Sequence, residues 1–502
     1  MKFAKILSLF LALLMLASTL VACGDTPEET TGGSNRPSVG GDRDLIEDSV
    51  PLDLNYGGET VTFFVRSEED LLKYEIACED LLNDPLYDAI HYRNIDVESR
   101  LGVKIKTIEQ NGVYGQHTAW NERLSNSVLT NTGDYDGAAI YISQGSPLAK
   151  DGIFYNLLNL EQGYGGYLEF AKPWWNQMLV DELAIYGTLF FAGGSLTISQ
   201  VAKGSCLFFN RDMFNEKFPD DRDAGLYQLV RDGKWTIDKL TDYVSQVHTD
   251  VNSNGVVDDG DIVGIRSRAM VGGDGSFMDP WIPAMGLKLT EKDEYGDVTL
   301  AFVNTRTIPA YEKLKALFGS GNPGTLFIKE AHGETELPNG NVLFASTIMN
   351  YGLTMAQSEV NYGVLPLPKY DEEQDDYHTG FSNAASAIAL CANLSDARAE
   401  MMSAVLEVLS AESYKQVIPV YYNKILQGQY SREQADAEMY DLILNSFSFT
   451  FGFAYSTASL GGIGSSFRYM EPSYDIAQHI DSNKEVWQEK LDELLLALEE
   501  RS

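Results

Sequence analysis

Basic residues are scarce in this chain: 37 Lys and Arg stand against 73 Asp and Glu, with 6 His, for a net charge of −36 over 502 residues. A surface this acidic repels nucleic acid and anionic membrane, and no basic run interleaved with aromatics relieves it, which speaks against direct polyanion binding. Cysteine is scarcer still: Cys23, Cys78, Cys206 and Cys391 are the whole set. Their spacings fit no zinc motif, and a chain this long buries its own core without disulfides. The last three are therefore expected in the core, with one disulfide open among them. Catalytic signatures are also missing. There is no His-Glu-x-x-His, no Gly-x-x-x-x-Gly-Lys-Ser/Thr, no Gly-x-Ser-x-Gly, and the dinucleotide-type glycine spacing is incomplete. Glycoside hydrolysis asks only for two carboxylates flanking a bond, so that reaction stays open.

What is present begins with MKFAKILSLFLALLMLASTLVAC: Lys2 and Lys5, an apolar stretch from Ile6 to about Leu16, then small residues before Cys23. That order predicts a secretory signal over residues 1–22, to be set apart from the fold. Leu20-Val21-Ala22-Cys23 resembles the lipobox of bacterial lipoproteins. The resemblance implies that Cys23 becomes the lipid-modified first residue of the mature chain, held at the outer face of the cell membrane by its lipid alone. Residues 23–58 are polar, rich in Gly, Ser, Thr and Pro, and poor in large apolar side chains, which predicts a flexible tether.

Residues 248–265, HTDVNSNGVVDDGDIVGI, carry oxygen-bearing side chains at alternate positions. Asp250, Asn252 and Asn254 precede Gly255 at the turn, and the Val256 carbonyl, Asp258 and Asp261 follow. This is the spacing of a calcium loop, in which a hard cation collects oxygens at about 2.3–2.6 Å. Leu240, Tyr243, Val244 and Val247 predict a helix over Thr236–Thr249, whereas Ile262–Ile265 reads as a short strand. A calcium sensor opens by swinging two helices apart. With one helix, the loop is expected to hold a single structural calcium, weakly, as extracellular loops do at about 10⁻⁴–10⁻³ M.

The folded part opens with the strand ETVTFFVR (Glu59–Arg66), a helix in DPLYDAIHYRNIDVESRLG, the strand VKIKTIE, a helix near Thr118–Leu129 and the strand Tyr135–Ile142. Strands alternating with helices predict a parallel α/β sheet. The length beyond residue 58 exceeds one typical core and predicts two domains.

Several phrases follow the lipobox in a fixed order: YDAIHYRNIDVESRLGVKI, KPWWNQMLVDELAIYGTLFFAGG, LFFNRDMFNEKF with DGKWTIDKL behind it, NYGVLPLPKYDEEQDDYHT and LSAESYKQVIPVYYNKIL. Together they resemble the extracellular solute-binding proteins of bacterial ABC importers, the carbohydrate-type group with the maltose-binding-protein fold. The resemblance spans nearly all of Glu59–Ser502. It implies an α/β, two-lobed periplasmic-binding-protein-like fold of type II with the ligand cleft between the lobes. Lobe one would be 59–200 plus 380–425, lobe two 205–370 plus 430–502, with Ser195–Ser205 and Asp371–Phe381 as the main crossings. It further implies a monomeric receptor, not an enzyme, that captures a sugar or oligosaccharide and delivers it to an ABC permease. MYDLILNSFSFTFGFAY carries less charge than similar sequences do and leaves the ligand type open. An extracytoplasmic glycoside hydrolase and a binding protein for peptides or another small solute are the alternatives.

Flat aromatics stack on sugar rings and a few polar groups fix the hydroxyls, so the candidates are such residues at strand ends and in irregular stretches. Arg66, Ser67 and Glu68 follow the first strand, and Tyr141 and Ser143 end the third, where open α/β sheets place ligands. Trp174, Trp175 and Tyr377 lie in loop-like contexts. Trp281 and Asp274 share the glycine-rich VGGDGSFMDPWIPAMG, and Asn350-Tyr351 follows another apolar run.

Overall fold

The structure is a computed structural model that describes residues 42–267, 276–327, 337–456 and 459–501. Strand β1 (Glu59–Arg66) pairs in parallel with β2 (Val103–Gln110) along its whole length and with β3 (Gly137–Tyr141) at its centre. The Pro85–Leu101 helix links β1 to β2. Asp84 starts it by accepting from Leu86 N and Tyr87 N, Pro85 supplies a pre-set first turn, and Gly102 ends it at φ +60°. A fourth strand, β12 (Ser386–Leu390), joins β3 antiparallel, giving the order β12-β3-β1-β2. The expectation of an all-parallel sheet is thus corrected at this edge: the closing strand returns from far along the chain, and distant return strands are free to run either way.

The second sheet has the order β11-β4-β10-β6-β5. Its strands are β4 (Ser205–Asn210), β5 (His248–Thr249), β6 (Ile262–Ser267), β10 (Val342–Ile348) and β11 (Tyr362–Leu365), with β9 (Thr325–Phe327) beside β6. Strand β4 lies antiparallel to both β10 and β11 and is buried throughout. A small hairpin, β7 (Thr290–Lys292) and β8 (Val298–Leu300), stands apart. These two sheets with their covering helices form a mixed α/β, two-lobed arrangement.

The C-terminal fifth ties the lobes together. The Asp396–Glu412 helix lies on the first sheet, where Arg398 grips Asp136 through Nε at 2.7 Å and Nη2 at 2.8 Å. It runs on into two wide π-helical stretches, Ser413–Val417 and Val420–Tyr430. The Gln434–Asn445 helix then docks on the second sheet: buried Asp436 takes Arg211 Nη2 at 3.1 Å, the Tyr227 hydroxyl at 2.5 Å and Val364 N at 3.3 Å. The last helix, Ile476–Glu499, buries Ile480, Trp487, Leu491, Leu494 and Leu498 along one face. Among the described residues no helix is long and apolar enough to cross a membrane.

Two expectations change here. The tether does not run free to residue 58, because 42–58 docks on the first lobe. Arg100 clamps Asp48 with two bonds of 2.7 Å, the Arg43 guanidinium lies 4.3 Å from the Tyr414 ring centre, and Val50 is buried. The segment's low overall hydrophobicity concealed this: a few apolar side chains, Ile46, Val50, Leu54 and Tyr56, pack on the core beside the Arg100–Asp48 ion pair. The helix expected over Thr236–Thr249 ends at Ser245, because His248 and Thr249 pair with Val263 and Ile262 as a strand. Cys78, Cys206 and Cys391 are free and buried. Cys23 and the rest of 1–41 lie outside the described residues.

Candidate functional site

Three chain segments run side by side where the chain passes between the sheets. Gly204 bridges to Phe381, and Thr379 bridges to Phe447. Ser205 N donates to Gly380 O at 2.9 Å, Ser382 N to Lys203 O at 2.9 Å, and Ser448 N to Thr379 O at 2.8 Å. Backbone pairing of this kind fixes position while leaving φ and ψ at the segment ends free to turn, which is what a hinge needs. The third segment, Ser446–Ser448, falls inside the MYDLILNSFSFTFGFAY stretch and was missed as a crossing.

A polar chain joins the two lobes beside this hinge. At the carboxyl end of β1, Arg66 is 1% exposed and places Nη1 3.0 Å from Glu68 Oε1, Nη2 2.6 Å from Ala384 O and its guanidinium 4.7 Å from the Tyr141 ring centre. The Tyr141 hydroxyl, at the end of β3, donates to Asn383 Oδ1 at 3.3 Å. Asn383 Nδ2 in turn donates to Asp279 Oδ2 at 3.0 Å, and Arg468 holds Asp279 with two bonds, Nε–Oδ1 at 2.7 Å and Nη2–Oδ2 at 2.5 Å. One hydrogen-bonded path therefore runs from the first sheet, through the loop after the hinge, to the elements preceding the Trp281–Ala284 helix. Open α/β sheets bind ligands beyond the carboxyl ends of their strands, which is where this path lies.

Nearby groups extend the site. Ser143 is fully buried, its N donates to Asn383 O at 3.4 Å, and its Oγ has no partner. Asn121 donates through Nδ2 to Gln144 O at 2.8 Å and leaves its buried Oδ1 unpartnered. Glu75 is fully buried and accepts from Ser199 N at 3.2 Å; burial pushes its carboxyl above the ordinary range, against the pull of Ser386, Ser199 and Arg66. Lys203, on the hinge, binds Glu69 through both oxygens at 2.6 and 2.7 Å. Asp279, Ile282, Gly380, Ser448 and Phe449 line a small pocket of about 20 Å³, room for a water or two. A sugar ring enters it only if the surrounding elements part.

The sequence therefore placed Arg66, Glu68, Tyr141 and Ser143 in one neighbourhood, and the structure brings them together. Asn383, Asp279 and Arg468 were missed. Asp279 stands two residues from Trp281 and Asn383 lies in the polar run after NYGVLPLPKY, whereas nothing in the sequence marks Arg468.

The aromatic candidates are corrected. Trp281 opens a short helix after Pro280 and is fully buried, edge-on to Phe318 at 5.1 Å, with Nε1 donating to Ser346 Oγ at 3.2 Å. Its ring is packed rather than open, so the expectation of an exposed platform fails. Trp174 and Trp175 are buried with both indole N–H groups on Glu407, and Tyr377 is buried with its hydroxyl on Val230 O at 3.1 Å. Each presents its polar end to a fixed protein partner. Tyr351 is half-buried on the turn after β10, next to Asn350, and Ser67 N pairs with Gln110 O. Asp274 lies outside the described residues.

The calcium-type loop closes the β5–β6 hairpin. Asp250 accepts from Asn254 N at 3.2 Å and Gly255 N at 2.7 Å, while Asn252 Nδ2 meets Asp258 Oδ1 at 3.0 Å. Asp261 is fully buried, accepts from Val251 N at 2.9 Å and lies 3.1 Å from His248 Nε2; these partners hold its carboxyl below the ordinary range. Among the described residues no three His, Cys, Asp or Glu side chains converge as a metal site.

No protein-family model and no curated protein matches the chain. Solved structures do. A cyclo/maltodextrin-binding protein complexed with maltotetraose superposes at TM-score 0.52 and 9% identity, over 89% of this chain and 98% of that one. UgpB from Mycobacterium tuberculosis, in complex with glycerophosphocholine, gives 0.53 and 14% over 87% and 99%. The galacto-N-biose/lacto-N-biose I-binding protein of an ABC transporter from Bifidobacterium longum, in complex with lacto-N-biose, gives 0.52 and 11% over 88% and 98%. At these identities the likeness is one of fold: the chain has the two-lobed fold of ABC-transporter solute-binding proteins.

Proposed function

We propose that this protein is an extracytoplasmic receptor that captures a sugar or oligosaccharide between its lobes and delivers it to an ABC permease. It would act as a monomer, without turning its ligand over, tethered to the outer face of the membrane through lipidated Cys23. The observation that carries the reading is the Arg66–Tyr141–Asn383–Asp279–Arg468 path beside a three-segment hinge. Polar groups on both sides of a cleft that opens about a hinge can be satisfied by one ligand, and the closed form is then favoured by its extra contacts. The similar structures that hold maltotetraose and lacto-N-biose support a saccharide. The 250–261 loop would hold one structural calcium, remote from the cleft path, a reading supported by its oxygen spacing and its closure by paired strands.

A thermal-shift panel of mono- and oligosaccharides and peptides in millimolar calcium tests the receptor reading. At one hundred times its dissociation constant a ligand adds about 2.7 kcal/mol of stability. A raised midpoint with one glycan class supports it. A shift from peptides alone replaces the ligand class, and release of shortened glycan from a labelled substrate replaces the receptor with a hydrolase.

A further inference from the structure

Every basic side chain of the cleft path meets a carboxylate. Glu68 Oε1 takes Arg66 at 3.0 Å while its Oε2 accepts from Gly112 N at 3.0 Å. Asp279 takes both arms of Arg468, and Glu69 takes Lys203. An arginine fork matches a ligand's phosphate or carboxylate as well as it matches a side chain, so the group that already holds the fork decides what else it accepts. We propose that Glu68 and Asp279 set the charge selectivity of this cleft: by occupying Arg66 and Arg468 they reserve it for an uncharged, hydroxyl-bearing ligand and turn away phosphorylated or acidic ones.

The inference rests on the receptor reading above, and a second observation supports it. The polar atoms left without partners are of both kinds: Asn121 Oδ1, an acceptor because Nδ2 is committed to Gln144 O, Ser143 Oγ, and the donor Arg66 Nε. A hydroxyl group donates and accepts, so it can serve all three; a phosphate dianion only accepts, which suits Arg66 Nε but leaves Asn121 Oδ1 unmet. The net charge of −36 acts in the same direction, lowering the local concentration of anions. Among the similar folds, one holds glycerophosphocholine, a net-neutral zwitterion that carries a phosphodiester, so the architecture by itself does not exclude a phosphate group.

Titration calorimetry on the full chain decides the matter, with neutral mono- and oligosaccharides set against their phosphorylated and uronic-acid counterparts. The unaltered protein should bind a neutral saccharide at least about tenfold more tightly than its acidic counterpart, and Glu68→Gln or Asp279→Asn should shrink that ratio at least about tenfold by freeing an arginine. Equal or tighter binding of the acidic counterpart by the unaltered chain overturns the proposal and leaves the receptor standing; so does an unchanged ratio in both variants when circular dichroism shows them folded. Should one variant fail to fold, the ratio in the other decides. Binding of neither class by folded protein removes the saccharide receptor itself, and the charge selectivity with it.

Discussion

Trp174 and Glu407 meet across 233 residues of chain, the indole Nε1 donating to Oε1 at 2.9 Å. The neighbouring indole, Trp175 Nε1, takes Oε2 at 3.0 Å, and Glu169 N takes the same oxygen at 3.1 Å. A loop that read as a ligand platform is in fact fastened to the Asp396–Glu412 helix by one buried carboxylate.

That carboxylate should make stability depend on pH. Burial pushes Glu407 up to about 7, although three donors pull it down. The folded state thus holds its proton above the ordinary carboxylate pKa of 4.5, and the stabilisation is full below about pH 4.5 and lost as pH rises through about 7. The loss amounts to about 3 kcal/mol as an order of magnitude. Urea midpoints between pH 5 and 8 should fall more steeply in the unaltered protein than in Glu407→Gln; parallel profiles would remove Glu407 as the source.

Asp436 fastens the Gln434–Asn445 helix to the second sheet through buried Arg211. Asp436→Ala leaves that guanidinium without its fully buried partner, although Asp223 stays at 2.9 Å, and should cost about 3–5 kcal/mol in chemical denaturation. Paired replacement, Arg211→Met with Asp436→Leu, should recover most of it. A single-variant loss under about 1 kcal/mol would show that the neighbouring acids suffice.

Trp281→Ala should act on folding rather than on recognition. Emptying a fully buried indole site costs about 3–5 kcal/mol. The thermal midpoint should drop with or without ligand, while Trp281→Phe keeps most of the packing. A stable Trp281→Ala protein with weakened saccharide binding would return Trp281 to the cleft.

Calcium at the 250–261 loop predicts that a chelator lowers the midpoint of the unaltered protein and leaves Asp250→Ala unmoved. Tenfold excess over the dissociation constant corresponds to about 1.4 kcal/mol. Saccharide affinity should be the same in both proteins at matched folded fraction. A midpoint indifferent to chelation would leave the loop as a hydrogen-bonded turn, held by Asp250 and Asp261 on backbone N–H groups.

Local order was legible in the sequence. Glu59–Arg66 is the strand it was expected to be, and the helices ending at Leu101 and Leu129 lie where they were expected. Position at a strand end led to Arg66, Glu68, Tyr141 and Ser143 for the same reason, since a strand's end is a local property. The aromatic candidates misled because ring type and loop-like surroundings do not report burial. Trp281 and Trp174 differ from an exposed platform only in what packs on them, and those partners, Phe318 and Glu407, lie elsewhere in the chain.

By itself the sequence determined the acidic surface, the α/β order of elements and the residues at the ends of β1 and β3, because charge, periodicity and capping act within a few residues. Only the tertiary structure decided that Asn383 joins Tyr141 to Asp279, that Arg468 closes on Asp279, and that Ser446–Ser448 is a third hinge segment. Those contacts join residues 67 to 242 positions apart, and no short-range preference encodes them. They form when two sheets and a C-terminal strap bury their apolar faces together and leave buried polar groups to find one another.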